Sequence, residues 1–243
     1  MGLVNFGVPR ELVLAARQRF KIRNFVETGT FRGDTAHFAA QYFDQVVTIE
    51  FDPKRFIECK RRFAGMPRVT CLLANSPTAL RLLIPELKGP TLYWLDAHWN
   101  GDAKSRQYEC PVMEEVAAIN EIKHEAYILV DDARYFIAPP PPPCDIDAWP
   151  SVAELTGNLA HGGRYVAMVD DAILAFPAGA KEFMVEYIRG RPMAWSGAGG
   201  GAPKVMPVKV AEVGKVITGE AVKGAAVVKG TRPMFMVSRN RKR

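Results

Sequence analysis

The chain has 243 residues, 48% of them apolar, and carries 32 Lys plus Arg against 26 Asp plus Glu, a formal +6. That excess belongs to one end: residues 191–243 hold 11 basic and 2 acidic residues (+9), whereas residues 1–190 hold 21 and 24 (−3). A basic groove across the body, as a dedicated nucleic-acid reader needs, is therefore disfavoured, and uncharged runs of at most 12 residues fall short of the roughly 20 that span a bilayer.

The start, MGLVNFGVPREL, has neither an apolar h-region nor a small-residue cleavage site, so a cytoplasmic protein is expected. Asn24–Thr30 reads as a strand, Gly33–Phe43 as a helix and Gln45–Asp52 as a β-branched strand. Pro53 suits the first turn of a helix running to about Phe63. Val69–Ala74 is a third strand, and Ser76-Pro77 reads as an N-cap followed by a first-turn proline, opening a helix through Leu83. Thr91–Ala97 is a fourth strand. Pro111–Lys123 is an amphipathic helix, and Ala126–Asp131 is an apolar strand suited to burial on both faces. A helix at Ser151–Ala160, a hairpin of Arg164–Val169 with Ala172–Phe176, and a helix at Lys181–Arg189 complete the body. The four cysteines (Cys59, Cys71, Cys110 and Cys144) form no CxxC pair and are expected as reduced thiols.

Repeated βα units predict an α/β fold with a doubly wound, Rossmann-like, mostly parallel sheet, the hairpin adding antiparallel strands at one edge. Residues 1–190 form that domain, and residues 191–243 are a basic Gly/Pro/Val-rich extension. In such sheets ligands bind at the carboxyl ends of the strands.

The polar residues at those ends form a pattern. Glu27-Thr28-Gly29-Thr30-Phe31-Arg32-Gly33 follows the first strand, its glycines allowing close backbone approach to a ligand. A tight strand–helix turn explains the same glycines. Glu50 closes the second strand, where an acidic residue accepts hydrogen bonds from ribose hydroxyls; alone, it reads equally as a solvated carboxylate. The pair favours an adenosine-containing ligand. Asp96 ends the fourth strand, and Asp131 and Asp132 end the fifth. Like charges at adjacent strand ends are unfavourable unless neutralised, and a hard divalent cation such as Mg²⁺ would do so. The competing reading is a capping Asp in each turn with Arg134 as counter-ion. His98, two residues beyond Asp96, has the ordinary pKa of about 6.5 that suits a general base. His37, His124 and His161 read as structural or surface residues.

These residues resemble class I S-adenosylmethionine-dependent methyltransferases over about residues 22–190. FVETGTFRGDTAHFAAQYFDQVVTIEFDP looks like the family's first βαβ unit, and YWLDAHW followed by ILVDDARYF looks like its later strands. The likeness is to metal-dependent O-methyltransferases of the catechol and antibiotic-sugar types, whose sheet has seven strands. The resemblance implies that Glu27, Thr28, Gly29, Thr30 and Gly33 hold the methionine portion of S-adenosylmethionine. It implies Glu50 at the ribose, Asn75 and Ser76 at the adenine, and Mg²⁺ on Asp96, Asp131 and Asp132. His98 matches a catalytic base, with Asp96 beside it in the catalytic set. The expected acceptor is a hydroxyl of a sugar, glycan or other small molecule. Nucleic-acid methylation is disfavoured, since Asp96-Ala97-His98-Trp99 stands where an amino-methylation motif would be. A second reading is a catalytically silent cofactor-binding module acting through its basic tail.

Beyond the fifth strand, Pro139–Pro143 favours a stiff polyproline II segment, a wall beside the site with Trp149 and Tyr135 free to stack on substrate; docking of an SH3-like partner is the alternative. The polar Trp99–Cys110 loop is suited to close over substrate. In the tail, Trp195–Gly201 reads as a linker, Val205–Val213 and Met234–Val237 as strands, and Arg239–Arg243 as a basic cluster attracted to anionic surfaces or simply solvated. The residues leave a homo-oligomer open.

Overall fold

Five strands emerge in register along one edge of the sheet, and this alignment positions everything that follows. In the computed structural model the described residues are 7–98, 109–138 and 140–190. The strands are β1 (Asn24–Thr28), β2 (Gln45–Glu50), β3 (Val69–Leu73), β4 (Thr91–Leu95), β5 (Ala126–Val130), β6 (Tyr165–Val169) and β7 (Ala172–Phe176). Their order in the single sheet is β3-β2-β1-β4-β5-β7-β6. β1 to β5 pair in parallel, and β7 joins antiparallel to both β5 and β6. Thr28 pairs with Ile49 and Leu95, and Leu95 with Val130. Gly29, Asp96 and Asp131 therefore leave the sheet side by side. This is the expected Rossmann-like architecture with its terminal hairpin.

The sheet divides the core by side-chain alternation. Phe25, Trp94, Tyr127 and Phe176 face one side, under α1 (Arg10–Phe20), α2 (Asp34–Ala39) and α8 (Lys181–Gly190). Val26, Tyr93, Leu95 and Ile128 face the other, under α4 (Ser76–Leu83), α5 (Val112–Asn120) and α7 (Val152–Leu159). β1, β4, β5 and β7 are buried along their whole length. Such strands read as near-continuous apolar runs because both faces are covered.

Local chemistry sets the helix ends. α3 (Pro53–Arg62) starts at Asp52, whose carboxylate accepts from the Lys54 and Arg55 amides, with Pro53 in the first turn. α7 starts with a reciprocal capping box between Ser151 and Glu154. α4 is capped by Asn75, not Ser76: the Asn75 Oδ1 accepts from the Thr78 amide at 3.4 Å, and Ser76 is the buried first residue of the helix.

Two helices arise where none is predicted. α1 buries only Leu12, Val13 and Ala16 among charged neighbours, which hides its apolar stripe. α6 (Ala133–Ile137) is little more than one turn. The proline run is not extended throughout, since the Cys144 amide donates to the Pro141 carbonyl at 3.3 Å and closes a turn. Cys59 and Cys71 are joined by a disulfide, with Cα atoms 6.7 Å apart, correcting the expectation of four reduced thiols. Packing of α3 on the edge strand β3 brings together two residues whose spacing carries no pairing signal.

Among the described residues no helix is long and apolar enough to cross a membrane. Contacts divide the chain into two units, Met1–Met206 and Pro207–Arg243, and the described residues all belong to the first. The predicted tail strands, linker and basic cluster lie outside the described residues, as do residues 99–108 of the polar loop and Pro139.

Candidate active site

The convergence of β1 and β4 dictates the first glycine. Gly29 has φ +80°, and a Cβ there would collide with the Asp96 carbonyl. Its amide donates to the Ile49 carbonyl at 2.9 Å. Gly33, at φ +75°, would place a Cβ 2.9 Å from the Phe63 ring. The turn between them is closed by the Gly33 amide on the Thr30 carbonyl at 2.7 Å.

Behind this turn runs a buried polar chain. The Thr48 hydroxyl donates to Glu27 Oε2 at 2.6 Å, and the Thr30 hydroxyl lies 2.6 Å from that of Thr48. Burial holds the Glu27 carboxyl well above its ordinary value, opposed by the Thr48 hydrogen bond and reinforced by Asp96. Glu50 is fixed by backbone: Phe31 N–H donates to Oε2 at 3.0 Å and Asp52 N–H to Oε1 at 2.9 Å. Each oxygen keeps a second lone pair for a ligand hydroxyl. Phe31 itself sits at φ +48°, its ring under the Arg55 guanidinium at 4.4 Å.

Gly29, Glu50, Asn75, Ser76, Asp96, His98 and Asp132 line one cavity, together with Phe31, Phe51 and Arg55. Glu27, Thr28, Thr30, Gly33 and Asp131 are not part of that lining; they form the turn and supports behind it. Thr28 receives the Asp96 amide on its carbonyl at 3.1 Å and on its hydroxyl at 3.3 Å, pinning the end of β4.

The opposite end of the cavity is a charged cluster. His98 Nε2 lies 3.0 Å from Asp132 Oδ2 and 3.9 Å from Asp96 Oδ1. Its ring stands edge-on to Trp149 at 5.5 Å and Phe136 at 6.1 Å. Burial opposes charging of His98, but the Asp132 hydrogen bond and the Asp96 charge outweigh it and raise its pKa. Burial, then the Asp131 charge, raises Asp96 well above the ordinary carboxyl range. Burial and Asp132 push Asp131 up to about 6. Asp132 is lowered, because its bonds to His98 and Arg134 overcome its burial.

The three aspartates fall into two overlapping groups of possible metal ligands: Asp96, His98 and Asp132, and Asp131, Asp132 and Asp171, with ligand atoms in each group within 4.8 Å of one another. Arg134 already bridges the second group, 2.7 Å from Asp132 and in contact with Asp171. The counter-ion role considered for Arg134 is thus realised on that side. Asp131 Oδ1 accepts the Asp132 amide at 2.8 Å, leaving its other oxygen for a ligand. Neither group therefore holds Asp96, Asp131 and Asp132 together, and both Asp132 oxygens already meet His98 and Arg134; the oxygen donors themselves suit a hard divalent cation.

Several contributors carry no sequence signal. Asp171 acts through a hydrogen bond that tertiary packing creates, accepting from the Arg134 amide at 3.1 Å. Glu115, 1% exposed on α5, has its Oε1 unpartnered, and its pKa is raised by burial against hydrogen bonds from Ser76 and Thr28. Trp149 is not free to stack on substrate as expected: it is 7% exposed, and its Nε1 donates to the buried Glu109 at 2.8 Å. No local sequence pattern announces that contact, since Glu109 is 40 residues from Trp149.

No family model and no curated protein matches the chain. Solved structures do resemble it. Methyltransferases are among them. An S-adenosylhomocysteine-bound methyltransferase of Podospora anserina is 18% identical, with 68% of this chain and 76% of that one covered, at a TM-score of 0.47. A SAM-dependent methyltransferase of Aquifex aeolicus is 14% identical (69% and 88% covered, TM-score 0.44). An rRNA methylase of Streptococcus thermophilus is 11% identical (72% and 99% covered, TM-score 0.42). At these values the likeness carries no argument about activity or acceptor, which rest on the site itself.

Proposed function

We propose that the chain is an S-adenosylmethionine-dependent O-methyltransferase acting on a hydroxyl of a small molecule or sugar. One observation carries this reading. A single cavity joins a carboxylate held by two backbone amides, Glu50, to a His98–Asp132–Asp96 cluster at the ends of β4 and β5. The first end suits the ribose of an adenosine cofactor, and the second suits the handling of a hydroxyl proton.

Within this reading Glu50 accepts the ribose hydroxyls, while Asn75 and Ser76 border the adenine. Glu27, buried behind Gly29, supports the turn that borders the methionine end. The acceptor oxygen attacks the methyl carbon; the carbon–sulfur bond breaks, the carbon–oxygen bond forms, and S-adenosylhomocysteine leaves. His98, held by Asp132, takes the hydroxyl proton. Asp132 orients the ring and stabilises the imidazolium. Asp96 and Asp132, with Asp131, would hold Mg²⁺, which when bound lowers the pKa of a coordinated hydroxyl. The basic extension and a cytoplasmic location remain parts of the same proposal.

Calorimetric titration with S-adenosylmethionine tests the cofactor assignment. Binding without turnover of any hydroxylated acceptor supports the catalytically silent module instead. Asp96→Asn is expected to lower turnover about 10²-fold or more, with cofactor affinity within a few fold. Full turnover in excess EDTA would remove the metal from the proposal.

A further inference from the structure

We infer that the Cys59–Cys71 disulfide is a reversible redox switch that sets how tightly the Glu50 end of the cavity holds its cofactor. This rests on the cofactor reading above and adds regulation to it.

The crosslink joins two parts of the cavity lining. Phe51 and Arg55 form one part, and Ala74, Asn75 and Ser76 another. Arg55 and Cys59 are four residues apart on α3, one turn along the same face. Cys71 lies on β3, and Ala74 follows directly after that strand. The bond therefore ties the helix that carries the first part to the strand that delivers the second.

Little else anchors α3. Cys59 is its only buried residue, Arg55 and Phe56 are half-buried, and the others are exposed. Yet this helix and its two ends order the cofactor end of the cavity. At its start the Asp52 amide donates to Glu50 Oε1 at 2.9 Å. In its middle the Arg55 guanidinium lies over the Phe31 ring at 4.4 Å. At its end Arg62 donates to the Arg32 carbonyl and pairs with Asp34 at 2.8 Å, and the Phe63 ring underlies Gly33. Opening the bond removes the covalent anchor behind these contacts. A less ordered cofactor end must then be ordered by the ligand, which weakens binding. His98 and Asp132 are held instead by Trp149, Phe136 and Arg134, none of them on α3.

The bond is placed for exchange. β3 is the outer strand of the sheet and Cys71 is half-buried, whereas Cys59 is 2% exposed, so the Cys71 sulfur is the one a thiolate reaches. A dithiol attacks Cys71 Sγ, the S–S bond breaks, and Cys59 leaves as the thiolate. The second sulfur of the dithiol then displaces Cys71. Two electrons pass to the cysteine pair, the dithiol becomes a disulfide, and its two protons end on Cys59 and Cys71. A small disulfide such as oxidised glutathione reverses the exchange. In the cytoplasmic setting proposed above thiols are kept reduced, and disulfides there are mostly transient and redox-responsive.

The test is calorimetric titration of the full chain with S-adenosylhomocysteine in three states: oxidised, treated with dithiothreitol, and reoxidised with oxidised glutathione. Reduction is expected to weaken binding about tenfold and reoxidation to restore it, with cooperative thermal melting in every state. Cys59→Ser with Cys71→Ser is expected to bind like the reduced chain and to be indifferent to dithiothreitol, although Cys110 and Cys144 remain. A dithiothreitol effect in that variant would overturn the inference. So would loss of cooperative melting on reduction, which would make the bond a structural staple. Equal affinity in the oxidised and reduced states removes the switch and leaves the cofactor reading intact. No binding in any state removes the cofactor reading and the switch with it, so the two failures are distinguishable.

Discussion

Glu27 sits where a carboxylate costs the ligand-free protein stability. It is buried beside Asp96 and Glu50, and its proton is held well above the ordinary value of 4.5. A folded pKa raised above the unfolded one means that the folded state binds the proton more tightly. The associated stability is complete below about pH 4.5 and is lost as pH rises toward the folded value. Glu27→Gln removes that loss. Urea unfolding is expected to show the variant more stable at pH 8 by roughly 1–3 kcal/mol, with little difference at pH 4. A variant less stable at pH 8 would show that Glu27 is not paying a burial penalty there. Glu27, Glu50, Asp96, His98 and Asp132 were legible because strand-end position alone flags them. Asp171 and Glu109 were not, since each reaches its partners across 37 and 40 residues.

At the scale of elements, α3 is held unusually. Its only buried residue is Cys59, and that residue is bonded to Cys71 on the edge strand. Yet α3 supports the cofactor turn at several points. Arg55 covers Phe31, Arg62 donates to the Arg32 carbonyl and pairs with Asp34 at 2.8 Å, and Phe63 underlies Gly33. Reduction by a dithiol is therefore expected to cost about 2–4 kcal/mol of stability and to speed amide exchange in α3 and residues 29–34. Exchange unchanged on reduction would show that side-chain packing, not the disulfide, holds the helix. Gly29→Ala acts on the same turn from the other side. With φ +80° and the Asp96 carbonyl in the way, a loss of about 1–3 kcal/mol and of cofactor binding is expected by thermal melting and titration. The β-strands and most helices were readable from apolar runs and prolines. α1 and α6 were not, because one buries three residues and the other is too short to show a period.

The whole molecule sets a slightly acidic body against a strongly basic end, −3 against +9. The sheet order was legible as a class of fold, since parallel neighbours demand crossovers, whereas the placement of β7 between β5 and β6 follows from side-chain burial that no local pattern records. That order brings Glu50 and the His98–Asp132 pair to one edge, and the central claim is that the edge binds S-adenosylmethionine for methyl transfer. Calorimetric titration of the full chain with S-adenosylmethionine and S-adenosylhomocysteine tests it most directly. One-to-one binding of both, lost in Glu50→Ala, is the predicted result; no measurable binding of either would contradict it.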